Sequence, residues 1–347
     1  MRAYIFESTD LTKIFWMGAL SFVIAMAWTP ILTAILYKYK IGKRIRTEGI
    51  GSKTPIFSAL HAKKENTPTM GGLLVWVTVF VLTMIFNLDR GGTWLPLFAL
   101  VSAGVIGGID DLFNVFGIGP NRGGLRFRHK LIYYLIISLV GAWWFYSKLG
   151  YNGITIPGIG FTEIGWWYIP LFVVVLIGTS FAVNETDGLD GLAGGLLAIA
   201  FGAYALIAFA KGIMIYDISN EMFHLSAFCA TICGALLAFL WFNIYPARFI
   251  MGDTGSMSLG IALAIVAMLT DTVYVLPIIG IVFLIETLSV IIQISSKKLR
   301  GGKKVFLSAP IHHHFEALGW PEAKVTMRFW VIGAVASLIG LVLVMVS

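Results

Sequence analysis

The chain predicts an all-α, polytopic integral membrane protein, and three observations carry that prediction. Hydrophobic residues make up 58% of the 347 and charged residues only 12%, about half the ~25% charged fraction of an ordinary soluble domain. The apolar residues gather into ten runs nearly free of charge, most of them close to the ~20 residues that cross a bilayer core. Within each run the apolar character is continuous, whereas a membrane β-barrel strand alternates over about ten residues. Ten such spans consume most of the chain, so a single membrane body over residues 1–347 with short loops is expected, and a soluble globular enzyme is excluded.

In order, the expected transmembrane helices are residues 14–37, 71–88, 91–109, 131–147, 164–184, 191–210, 222–247, 254–270, 272–296 and 329–347. The first is too long for the apolar part of a secretory signal and follows Glu7 and Asp10, not a basic cluster, so it reads as an uncleaved span. Cys229 and Cys233, four apart, share one face of the seventh helix, a spacing that suits packing. The ninth run is interrupted by Glu286, an ionisable group whose cost inside a span points to function; pairing with Gln293 or with backbone at a helix break is the alternative. Between the fourth and fifth helices, Ile154-Thr155-Ile156 leads into Pro157-Gly158, which predicts a short β-hairpin.

Orientation follows from the cations. Twenty of the 25 Lys and Arg fall in one set of connections, and Arg2, Lys13, Arg90, Lys148 and Lys211 in the other. Basic loops stay inside, so the rich set is expected in the cytoplasm, with both termini periplasmic. The net charge of +7 is on this reading a topology signal and implies no nucleic-acid partner.

Five polar clusters then fall on that cytoplasmic face: Thr67-Pro68-Thr69-Met70-Gly71-Gly72 opening the second helix, Asp110-Asp111 closing the third, Asn184-Glu185-Thr186-Asp187-Gly188-Leu189-Asp190-Gly191 joining the fifth to the sixth, Met251-Gly252-Asp253-Thr254-Gly255-Ser256 opening the eighth, and Ala309-Pro310-Ile311-His312-His313-His314-Phe315-Glu316 before the tenth. Carboxylates at a helix C-terminus oppose the macrodipole by ~0.3 to 1 kcal/mol each, so Asp110 and Asp111 call for a cation: Arg122, Arg126, Arg128, Lys130 or a metal. Asp253 begins a helix whose free N–H groups suit an anion, although simple N-capping by Asp explains the same placement. Asp253-Thr254-Gly255-Ser256 imitates an aspartic protease tetrad, but it is single and set in membrane helix. Asp187 and Asp190 offer two oxygen ligands or merely a turn, and their spacing is not that of an EF-hand. Three consecutive histidines in an extended loop point in different directions and cannot all hold one zinc; imidazoles facing a pyrophosphate use them better.

Hard carboxylates, basic loops and a helix start suit Mg2+ with a diphosphate, since Mg2+ takes a few carboxylates plus phosphate oxygens. No Walker A, dinucleotide fingerprint or H-E-x-x-H pattern is present. A site at the membrane boundary could receive one substrate from water and the other from the bilayer. A secondary transporter is the rival from another class, but transporters bind near the midplane, where only Glu286 lies.

At the five quoted motifs the chain closely resembles the phospho-N-acetylmuramoyl-pentapeptide transferases of bacterial cell-wall synthesis, over nearly its whole length. The resemblance implies transfer of phospho-N-acetylmuramoyl-pentapeptide from a UDP carrier to undecaprenyl phosphate, giving lipid I and UMP in peptidoglycan biosynthesis. It implies Mg2+, a homodimer, and a multi-pass position in the bacterial inner membrane with the active site cytoplasmic. By resemblance Asp253 is the magnesium ligand with Asp187 close by, and Asp110 and Asp111 are paired catalytic acids. Asn184, Asp187, Asp190 and Asn243 form the nucleotide and metal-proximal group. Lys64, with Lys63 its neighbour, Thr69 and Lys130 correspond to nucleotide and phosphate contacts, and His312, His313 and His314 to a substrate-positioning triplet. A sibling enzyme using UDP-N-acetylglucosamine would share this metal chemistry.

Overall fold

The computed structural model describes residues 8–42, 48–49, 52–53, 67–89, 91–119, 124–214 and 219–346. It is mostly helical, with α1 (Ser8–Lys38), α2 (Leu73–Phe86), α3 (Trp94–Phe116), α4 (Phe127–Ser147), α5 (Tyr168–Thr186), α6 (Leu192–Met214), α7 (Ser219–Asn243), α8 (Asp253–Leu269), α9 (Leu276–Ile279), α10 (Ile281–Leu299), α11 (Ile311–Ala317) and α12 (Glu322–Val346). The predicted hairpin is present as β3 (Gly153–Ile156) paired antiparallel with β4 (Gly160–Glu163). Asp271 anchors it, accepting hydrogen bonds from the Thr155 backbone N–H and hydroxyl. A second two-stranded pair, β1 (Glu48–Gly49) with β2 (Ser52–Lys53), carries no apolar alternation and was not expected.

All ten apolar runs are helical, but they are not ten equal spans. Among the described residues seven helices are long and apolar enough to cross a membrane, and an eighth is reached if α9 and α10, bent by 77°, count as one. Helices α2 and α8 have 14 and 17 residues, rising ~21 and ~26 Å at 1.5 Å per residue against a hydrocarbon core of ~30 Å. The ninth run breaks at Gly280, not at Glu286, which lies inside the continuous α10. Likewise α3 does not stop at Asp110-Asp111 but continues to Phe116, where Gly117 takes the left-handed conformation that ends it.

The bundle is organised around α8. Every residue from Thr254 to Leu269 is buried, with α3 packed on one side and α5 on another. Small residues permit this proximity: a methyl group added to Gly72 would stand 2.2 Å from the Gly255 Cα, and one added to Gly107 only 2.4 Å from the Asp253 carbonyl oxygen. Close backbone approach of this kind is the means by which membrane helices associate without a hydrophobic driving force between them. Buried hydroxyls find local partners, Ser258 donating to the Thr254 carbonyl and Thr270 to that of Val266. Gly72→Ala forces two backbones apart and is expected to lower the thermal unfolding midpoint of the detergent-solubilised protein clearly, by an amount typical of core overpacking, ~1 to 3 kcal/mol.

Candidate active site

Lys130, in the first turn of α4, is the centre of the site. Its Nζ lies 2.5 Å from Asp110 Oδ2 and 2.5 Å from Asp253 Oδ2. Asp110 Oδ1 also accepts from the Leu125 backbone N–H at 2.5 Å. Asn184, near the end of α5, donates from Nδ2 to Asp253 Oδ1 at 2.9 Å and to Ser256 Oγ at 2.8 Å. Asp253 is the more open of the two acids, its side chain 23% exposed against 4% for Asp110.

The neighbouring Asp111 does something different. One residue further round α3, it turns to the start of α8 and accepts from the backbone N–H groups of Asp253 at 3.2 Å and Thr254 at 3.0 Å. The anion at this helix start is therefore the protein's own carboxylate, which corrects the expectation of free N–H groups awaiting a phosphate. Asp253 does not cap the helix; its side chain projects to Lys130 and Asn184.

Two chain segments lock this arrangement. The 67–72 segment runs beside the 250–252 segment, with Ile250 N–H bonded to the Pro68 carbonyl, Gly71 N–H to that of Ile250 and Gly72 N–H to that of Met251, each 2.8 Å. The 184–191 loop is tied to the same segment through Asp187 Oδ2, which accepts from Gly252 N–H at 3.1 Å. Gly252 has φ 75°, and a Cβ there would stand 2.5 Å from Asp111 Oδ2 and 2.7 Å from the buried Thr69 hydroxyl. Asp190 and Asn243 hold loops: Asp190 Oδ2 accepts from Ala247 N–H at 3.0 Å, and Asn243 accepts from Gly191 N–H while donating to the Phe249 carbonyl. Both are buried in these contacts, which fit loop positioning better than contact with a nucleotide.

The histidines are not in an extended loop. They form one turn of α11, with the His312 and His313 rings 4.0 Å apart and T-shaped. Glu286 Oε2 lies 2.9 Å from His312 Nδ1, and Glu316 Oε2 lies 2.7 Å from His313 Nδ1. His314 turns away from this pair, accepting at Nδ1 from Leu307 N–H. Glu286 is thus partnered by a histidine 26 residues on, not by Gln293, which binds backbone at Val305 and Phe306. Burial by itself lowers the pKa of the His312 imidazole, but the adjacent Glu286 carboxylate overrides this and raises it above the ordinary value. His312 Nε2 meets the 184–191 loop, where a Cβ at Gly188 would stand 2.2 Å from it. Gly188→Ala is expected to displace the imidazole and reduce turnover about tenfold with little loss of fold, read by UMP release alongside a melting curve.

All five motifs therefore meet at one end of the bundle. Lys64 and Lys63 lie outside the described residues. Glu322 was missed by sequence reading: its Oε1 accepts from Asp190 N–H at 2.6 Å, whereas an acid in the first turn of a helix reads from sequence only as a complement to the dipole. Ser256 was likewise part of a motif without a role, and it shares the Asn184 amide with Asp253.

The donor set can be tested against a divalent cation. Lys130 pairs with Asp110 and Asp253, while Asp111 and Asp187 lie close by on the backbone of the 252–254 segment, so among the described residues the cluster holds more carboxylates than cations. Among the described residues no three His, Cys, Asp or Glu side chains are arranged as a closed metal cage. That combination fits Mg2+, which keeps waters and substrate phosphate oxygens and uses only one or two carboxylates, and does not fit zinc. Asp253, the more exposed acid, and Asp187 beside it are the residues that would hold such an ion.

A multi-pass helical membrane protein with an acid-rich, lysine-centred site at one end of its bundle is the class that fold and site define. Residues 93–271 match the glycosyl transferase family 4 model, and residues 64–74 match the phospho-N-acetylmuramoyl-pentapeptide-transferase signature 1. The chain is 39% identical over 348 residues to the phospho-N-acetylmuramoyl-pentapeptide-transferase of Chloroflexus aurantiacus, covering 97% of this chain and 91% of that protein. It is 41% identical over 329 residues to the enzyme of the same name from Geobacillus thermodenitrificans, covering 93% and 95%. The chain belongs to the phospho-N-acetylmuramoyl-pentapeptide transferase family and is a transferase of peptidoglycan synthesis.

Proposed function

We propose that the protein transfers phospho-N-acetylmuramoyl-pentapeptide from its UDP carrier to undecaprenyl phosphate, forming lipid I and releasing UMP. The observation that carries this reading is the convergence of the five motifs on Lys130, Asp253 and the 184–191 loop, in a chain about 40% identical to transferases of that name over nearly its full length. The shorter α2 and α8 complete a ten-span body working as one membrane domain, with both termini periplasmic, the site facing the cytoplasm of the bacterial inner membrane, and the enzyme a homodimer. Gathering of the carboxylates at one end of the bundle, not at its middle, favours this over a transporter.

In the reaction an oxygen of the lipid phosphate attacks the sugar-linked phosphorus, a new P–O bond forms, and the bond to the UMP oxygen breaks, UMP leaving with the electron pair. The second pKa of a phosphate monoester is near 6, so the attacking group is largely dianionic at neutral pH and needs little help losing a proton. The obstacle is bringing two anions together. Mg2+ held by Asp253 and Asp187 would supply charge neutralisation at the diphosphate when bound. Lys130 adds a fixed cation, and Asn184 keeps the Asp253 carboxylate oriented. With both Asp110 oxygens engaged by Lys130 and Leu125 N–H, its part is to hold the lysine in place, not to act as a base. Asp111 is a positioning residue that sets the start of α8. His312, whose Nε2 abuts Gly188 of the 184–191 loop, carries the substrate-positioning role, with the His313 ring beside it.

The test is incubation of the purified protein with UDP-N-acetylmuramoyl-pentapeptide, undecaprenyl phosphate and Mg2+, followed by mass analysis for lipid I and UMP. Turnover of UDP-N-acetylglucosamine in preference would move the assignment to the sibling activity. Direct attack predicts no phosphorylated enzyme when the UDP donor is supplied without lipid phosphate; a phospho-aspartate chased to product by lipid would replace that mechanism.

A further inference from the structure

The first two turns of α12 carry two cations that take no part in the lysine–carboxylate site. Lys324 and Arg328 are both exposed, and the ion pairs among the described residues include neither. Both bracket one indole: Lys324 Nζ lies 4.8 Å from the ring centroid of Trp320 and Arg328 Cζ 4.5 Å from it. Trp320 is itself backed by Phe315, the rings stacked at 4.9 Å. Cations near a helix N-terminus oppose the macrodipole, so helix stability does not account for them.

Their position on the helix is informative. At 100° per residue, Lys324, Arg328, Val331, Val335, Leu338 and Val342 share one stripe. The four apolar members are 53% to 63% exposed. The opposite face carries Thr326 and Trp330, whose side chains donate to the carbonyls of Asp190 and Gly191, and Glu322, which accepts from Asp190 N–H. One side of α12 therefore holds the active-site loop while the other presents a basic pair above an apolar strip. From residue 331 to 342 the strip rises ~17 Å at 1.5 Å per residue, about the depth of one leaflet.

We infer that this outer face of α12 is a binding site for an anionic glycerophospholipid, with its phosphate between Lys324 and Arg328 and its acyl chains along Val331, Val335, Leu338 and Val342. Charge complementarity selects the headgroup: two cations with no ion-pair partner among the described residues, held in place by an aromatic ring at the membrane boundary, favour a net-negative lipid over a zwitterionic one. The stripe selects a lipid over free phosphate, because an inorganic anion would leave the apolar strip without a partner.

The experiment uses the purified full chain in detergent, titrated with phosphatidylglycerol or phosphatidylcholine and read by native mass spectrometry. The wild type is expected to retain phosphatidylglycerol in preference, and the exposed double variant Lys324→Gln/Arg328→Gln to lose that preference about tenfold with its melting curve unchanged. A matched variant, Lys303→Gln/Lys304→Gln, removes the same charge from the loop after α10 and should leave the preference intact. Equal loss in both variants would assign the effect to diffuse charge and overturn the site, as would no loss in either. A variant that loses undecaprenyl phosphate but not phosphatidylglycerol, or that shifts to a smaller oligomer, would assign the stripe to substrate or to a second copy and equally overturn it.

Discussion

Asp253→Asn is expected to cut kcat/KM by about a thousandfold or more while the protein still folds. The substitution keeps the shape and one oxygen acceptor, so the bond from Asn184 survives, but it removes the negative charge that faces Lys130 at 2.5 Å. Loss of a single preorganised electrostatic contact in an enzyme site costs ~10² to 10³ in rate. Asp253 is also the proposed Mg2+ ligand, so the loss lands on the element that neutralises the diphosphate. Stripping divalent cations from the wild type with a chelator is expected to reach the same residual rate, and restoring Mg2+ to recover only the wild type. UMP release with purified substrates measures the rate, and a Mn2+ titration followed by electron paramagnetic resonance separately measures metal affinity. Retention of a tenth of the wild-type activity by Asp253→Asn would remove this residue from the centre of the chemistry, whatever the metal does.

The fold was legible where physics is one-dimensional. A charge-free run of twenty residues means a span however it packs, and the runs that became α1, α4, α5, α6, α7 and α12 needed no knowledge of one another. The β3–β4 turn was legible for the same reason, since Pro157-Gly158 between alternating residues is a local instruction. What could not be read was anything set by a neighbour. The true end of α3 lies beyond Asp110-Asp111 because those acids are satisfied by Lys130, Leu125 N–H and the start of α8, and need no helix end. The short α8 tolerates its length because it is enclosed by other helices.

Within the site, sequence marked the residue types but not their division of labour. Asp110 and Asp111 are adjacent and identical, yet a rotation of 100° sends one to a lysine and the other to two backbone N–H groups. The same limit applies to Asp190 and Asn243, which bond to loop backbone at Ala247, Gly191 and Phe249. Glu286 was visible as an anomaly, while its partner His312 lies beyond a loop and on a different helix. Three consecutive histidines looked scattered because a seven-residue helix is too short to leave a periodic signal.

Lys130→Met is the second substitution with a large expected effect, and it separates stability from catalysis. Among the described residues Lys130 is the cation that Asp110 and Asp253 share, at 2.5 Å from each. Methionine preserves the length of the side chain and leaves two partly buried carboxylates facing each other without compensation. Removing one partner of a buried ion pair costs ~3 to 5 kcal/mol; with Lys130 15% and Asp253 23% exposed, water screens part of this and the lower end applies. The variant should therefore unfold at a clearly lower temperature in detergent and release UMP about a thousandfold more slowly. Adding Asp110→Asn to it removes one of the opposed charges, so the double variant should regain much of the lost stability without regaining activity. Such non-additivity is the signature of residues in direct contact. If the two substitutions instead add independently in the melting curves, Asp110 and Asp253 are not held together through the lysine, and the site has been built around the wrong cation.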